Sequence, residues 1–160
     1  MKRVYKILLS FVTLMFFVTA CGNKSLYSMK TDLSNERGLE KLVASIDWGP
    51  YKLEDVKIKD KALEIKLSGK AKASKDESSK TGFINGVVLL VLTDAEEVWY
   101  SGEDLYFTSI DKDLANEILK TKYGKEVNDY KKSQEDFDNL VKSLENEKFE
   151  AGAAKFEMME

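Results

Sequence analysis

"TGFINGVVLLVL", residues 81–92, is the stretch on which the fold turns. An apolar run of this length suits a buried strand or the core of a buried helix, and periodicity alone does not separate the two. The flanking chain does. A segment ending in Asp47 is followed by a loop and an alternating stretch, and a segment ending near Asp94 by "EVWYSGEDLYFTSI", residues 97–110, again strand, turn, strand. Two successive helix, strand, strand units make residues 81–92 a helix. Thr81 is then its cap, and Phe83, Val87, Leu90 and Val91 are its buried face.

Upstream, Ser34 caps an expected helix with Leu39, Leu42, Val43 and Ile46 as one apolar stripe, and Trp48, Gly49 and Pro50 stop it. From Val56 the period becomes two. Val56 and Ile58, then Leu63, Ile65 and Leu67, alternate with Lys57, Lys59, Glu64 and Lys66. A turn centred on Asp60 and Lys61 pairs Ile58 with Leu63 and Val56 with Ile65, leaving Lys57 opposite Glu64 on a wet face. Residues 68–80, "SGKAKASKDESSK", hold no apolar side chain larger than alanine and are expected to form a flexible loop.

Downstream, Asp111 caps a helix with Leu114, Ile118 and Leu119 inward, ended by Gly124, and Ser133 begins another with Phe137, Leu140, Val141 and Leu144 as its stripe. The expected class is α+β. Its architecture is an antiparallel sheet from two αββ units with helices on one face, followed by C-terminal helices.

In the second hairpin, a turn over Ser101 to Asp104 pairs Tyr100 with Leu105 and Val98 with Phe107 on the core side. Trp99 then pairs with Tyr106 and Glu97 with Thr108 on the other. With helices on one side only, Trp99 and Tyr106 share the open face with Lys57, Lys59, Glu64 and Lys66. Aromatic anchors ringed by charge suit a recognition surface.

The N-terminus carries a different kind of information. Lys2, Arg3 and Lys6 precede an uncharged stretch from Ile7 to Val18 and then small residues, the order of a secretory signal peptide. That stretch is short for a bilayer crossing, which takes ~20 helical residues, so residues 1–20 read as a cleaved signal. Residues 21–32 then read as anchor and tether, and residues 33–160 as a single domain. Removing Lys2, Arg3 and Lys6 from the 25 basic residues leaves 22 against 28 acidic, a formal charge of −6. That balance disfavours nucleic acid as a partner.

Val18, Thr19, Ala20 and Cys21 resemble the lipobox of bacterial lipoproteins. The resemblance implies a diacylglyceryl group on Cys21, cleavage just before it, and a mature protein held on the extracytoplasmic face of the cell membrane. The order of capped helix, hairpin, small-residue helix ending in "LTDAEEVWY", and then "KTKYGKEVNDYKKSQEDFDNLVKSLE" is similar to an uncharacterised domain family of Firmicute lipoproteins and membrane-protein ectodomains. The repeated plan is also similar to the small domain of spore-germination lipoproteins. Neither family supplies a catalytic residue.

The chain has no histidine and only one cysteine, which excludes Ser-His catalysis, zinc sites of His and Cys, and an intramolecular disulfide. Two function classes remain. The first is a non-enzymatic, lipid-anchored module that binds an envelope protein, a peptide or a wall polymer, with no cofactor and no metal. The second is a hydrolase or calcium-binding protein acting on wall material through Glu96, Glu97, Glu103, Asp104, Asp111 and Asp113. Lys70, Lys72, Lys75 and Lys80 form a further candidate contact for anionic lipid or polymer.

Overall fold

A computed structural model describes residues 25–69, 74–103 and 105–147. Residues 1–20, the expected signal, and Cys21 lie outside the described residues, as do Lys70, Lys72 and Asp104. A 3-10 turn, Leu26–Met29, leads into α1 (Glu36–Ala44), β1 (Lys52–Lys59), β2 (Ala62–Ser68), α2 (Lys75–Leu92), β3 (Glu97–Ser101) and β4 (Ser109–Asp111). Three helices close the described chain: α3 (Lys112–Tyr123), α4 (Val127–Tyr130) and α5 (Gln134–Asn146).

The class is α+β with C-terminal helices, but the sheet is mixed. Its order is β1-β2-β3-β4, with β1/β2 and β3/β4 antiparallel and β2/β3 parallel. The expectation of an antiparallel sheet is therefore corrected at its centre. A helix between two neighbouring strands carries the chain back to the end of the sheet where the first strand began, so the second strand runs parallel to the first.

Helix α2 begins earlier than expected. Its cap is Ser74, not Thr81, and residues 75–80 are helical rather than loop. The Ser74 hydroxyl accepts from the Glu77 N–H at 3.3 Å, and the Glu77 carboxylate accepts from the Ser74 N–H at 3.0 Å. This reciprocal pair satisfies two otherwise orphaned donors, with Asp76 and Glu77 at the positive end of the helix dipole. Lys80 is also committed, donating to the carbonyls of Glu145 and Glu147 at 2.5 and 2.8 Å, just at and beyond the C-terminal turn of α5. The cap of α1 is likewise Asn35 rather than Ser34.

Every residue from Val87 to Leu92 is buried, because α2 is enclosed between two layers. One side packs on β3 and β4, the other on α4 and α5. Close approach to the strands depends on two glycines: a Cβ at Gly82 would lie 2.2 Å from the Phe107 ring, and one at Gly86 2.2 Å from Ile110 Cγ2. Tyr100 crosses the same seam, and its hydroxyl donates to the Gly82 carbonyl at 2.9 Å. Burial pushes that phenol's pKa upward. The polar side chains trapped here are paired, Ser78 with Tyr51, Ser79 with the Tyr106 carbonyl and Asn85 with the Asp47 carbonyl.

Residues 25–32 are docked on the helices and do not form a free tether. Tyr27 sits 5.7 Å from the Phe137 ring and donates its hydroxyl to the Lys131 carbonyl at 2.8 Å. Thr31 N–H donates to the Leu92 carbonyl at 2.9 Å, and Leu33 N–H to Asp94 Oδ1 at 2.6 Å. Among the described residues no helix is long and apolar enough to cross a membrane.

Candidate functional site on the open sheet face

Side chains alternate across a strand, so each row across the sheet faces either the helices or solvent. The inward rows are Ile58, Leu63, Val98 and Ile110, and Val56, Ile65 and Tyr100. All but the two β1 residues are buried, because α2 packs on β3 and β4 and β1 is the edge strand farther from it. The row between them runs Lys57, Glu64, Trp99, Ser109, and the next runs Lys59, Ala62, Glu97, Asp111. Trp99 keeps 45% of its surface exposed, whereas Trp48 inside keeps 6%.

Around the indole lies an open depression of about 460 Å³, lined by Lys59, Asp60, Lys61, Ala62, Glu64, Glu96, Glu97 and Trp99. Ala62 makes the room: a small side chain lies between Lys59 and Glu97, next to the Glu64–Trp99 pair. The rim is fixed by the tight turn, where Asp60 takes a left-handed φ of 55°, a conformation Asp tolerates better than most residues. Glu96 N–H donates to the Lys61 carbonyl at 2.8 Å, and Lys61 Nζ meets Glu96 Oε1 at 2.6 Å. That hydrogen bond and the attraction behind it hold the Glu96 carboxyl below its ordinary pKa and raise that of Lys61.

The other sequence-predicted residues separate. Lys59, Glu64 and Trp99 share the depression, and Lys57 is one strand further out, opposite Glu64 and 3.6 Å from Asp55. Lys66 is 3.1 Å from Glu54, brought there by a register shift between Leu53 and Asp55.

Tyr106 is not the cross-strand partner of Trp99. The observed register pairs Glu97 with Asp111, Val98 with Ile110 and Trp99 with Ser109, three positions beyond the expected pairing. Tyr106 lies in the connection from Gly102 to Thr108, its carbonyl held by Ser79 on α2. It is 48% exposed, but as a loop residue. The long connection exists because Phe107 turns inward onto Gly82, with its ring 4.7 Å from that of Tyr100.

Two of the candidate acidic residues have other partners. Asp111 Oδ1 accepts from the Leu114 N–H at 2.7 Å as the cap of α3, and Glu96 is engaged by Lys61. Among the described residues no three acidic or thiol side chains are close enough to hold a metal ion. The sequence places Glu97 on the Trp99 face and Lys61 in the first turn, but neither counts in the expected binding set. The parallel β2/β3 register, which hairpin logic does not supply, is what sets Glu96 against Lys61 and brings both beside Trp99. Comparisons with protein families, with curated proteins and with solved structures return no match.

Proposed function

We propose that the chain is a non-enzymatic binding module of the cell envelope, anchored by lipid at Cys21 on the extracytoplasmic face of the cell membrane. Its open sheet face recognises an envelope protein, a peptide or a wall polymer. The two αββ units serve as the scaffold that presents this face. The observation that carries the reading is Trp99, a large aromatic side chain left exposed in the middle of a sheet and flanked by Lys59, Glu64 and Glu97. An indole gives apolar contact area at low conformational cost, while the surrounding charges fix orientation and partner choice.

The alternative, carboxylate-dependent hydrolysis or calcium binding, gains little from the geometry. A general acid near neutral pH needs a raised carboxyl pKa, and Glu96 is displaced in the opposite direction by Lys61. Capture of envelope components by wild-type protein and by Trp99→Ser, prepared at matched urea midpoints, tests the reading. Loss of capture with stability retained supports it; equal capture by both proteins refutes it.

A further inference from the structure

The two ends of the molecule are set apart by the faces of α2. At 100° per residue, Ser79, Gly82 and Gly86 share one side of the helix, and Thr81, Ile84 and Val88 lie about 180° away. The first set meets the sheet side: Ser79 holds the Tyr106 carbonyl, and Gly82 and Gly86 admit Phe107 and Ile110. The second set lines a groove with Leu26 of the 3-10 turn and Val141 of α5. The layers therefore run from open sheet face to sheet, to α2, and then to α5 with the N-terminal turn.

Ser25 marks where the described chain begins, and it begins on that last layer. Its hydroxyl donates to Asp138 Oδ1 on α5 at 3.3 Å, two residues before Tyr27, whose ring meets that of Phe137 at a 43° tilt. From Cys21 to Ser25 the chain advances four residues, at most about 14 Å when fully extended. The open sheet face is two layer spacings away, roughly 20 Å.

We infer that the surface formed by the N-terminal 3-10 turn and α5 lies against the lipid bilayer, so that Trp99 and the open sheet face point away from it. The inference rests on the proposed lipid at Cys21. Given that anchor, the short connection and the docked 3-10 turn hold the helical layer toward the lipid and keep Trp99 beyond the headgroups. The partner of Trp99 is thus a component outside the membrane surface, and lipid is not its ligand.

The test uses protein obtained by expressing the complete sequence in a bacterial host, mixed with phosphatidylglycerol vesicles doped with a lipid carrying a nitroxide at its headgroup. Ser28→Cys and Ser101→Cys, both at exposed positions, each receive a thiol-reactive fluorophore; both native tryptophans stay in place. Flotation with the vesicles reads the anchor, and nitroxide quenching reads the orientation. The expected result is flotation of both proteins with severalfold stronger quenching at position 28 than at 101. Flotation with equal quenching, or with stronger quenching at 101, overturns the orientation alone. Failure to float overturns the anchor and the orientation with it.

Discussion

Strand β3 presents two chemistries one residue apart. Val98 and Tyr100 point into a seam where α2 approaches so closely that Gly82 and Gly86 leave no room for a methyl group, while Trp99 points out over charged neighbours. Inward, the neighbouring atoms determine each side chain's size and shape. Outward, where 45% of Trp99 stays exposed, the neighbours constrain residue 99 far less, and on the proposed reading the indole serves recognition. This difference is the physical basis of the proposed site, and it predicts opposite responses to mutation on the two faces.

The largest effect is expected inside. Phe107→Ala removes a ring packed on Gly82 and Tyr100 and should cost about 3–5 kcal/mol through lost burial and an unfilled cavity, read as a lower urea midpoint. Gly86→Val tests the same seam from the helix side. The added side chain must displace Ile110, and about 1–3 kcal/mol of destabilisation is expected. A neutral result at Gly86 would mean that helix and sheet are not in contact there.

How much of this was legible in the sequence depended on the length of the connection. The first hairpin could be read because two residues, Asp60 and Lys61, leave one register in which Ile58 meets Leu63 and Val56 meets Ile65. The second could not. Seven residues join β3 to β4, and the apolar position Phe107, which in a tight hairpin would pair across strands, is used to fill the space above Gly82. The exposure of Trp99 survives the change of register because it depends on alternation within β3, not on its partner. Its association with Tyr106 depended on the partner and failed.

The polar stretch at residues 68–80 teaches a related lesson. Lack of large apolar residues suggested a loop, yet Ser74 and Glu77 stand three residues apart in the spacing of a capping box, and small Ser78 and Ser79 suit a crowded seam. The local signal was present in the sequence and was outweighed by composition. Ser74→Ala should cost about 1 kcal/mol, measured by thermal unfolding. An unchanged transition would show that the first turn of α2 does not depend on its cap.

On the open face the effects shrink. Trp99→Ser should cost at most about 1 kcal/mol while abolishing partner capture, the reverse of Phe107→Ala, whose binding defect should follow its unfolding. The smallest effect belongs to the rim pair. Because Glu96 titrates below its ordinary 4.5 when folded, its contribution is present above that value and is lost as pH falls through the lowered one. Both partners are solvent-exposed, so the loss should be slight and should shrink further in high salt. Thermal melts of Glu96→Gln should lack that component of the acid dependence.

Whether the open face is occupied where the protein works can be read from its two tryptophans. Hydroxyl-radical oxidation, quantified by mass spectrometry, is measured on the purified protein and on the same protein in intact envelopes. Trp48 is buried and donates to the Val43 carbonyl, so it should react slowly in both and serves as the internal reference. Trp99 should oxidise readily when purified and severalfold less in the envelope, where the bound component covers it. Equal oxidation of Trp99 in the two preparations would contradict the claim that this face is a binding surface.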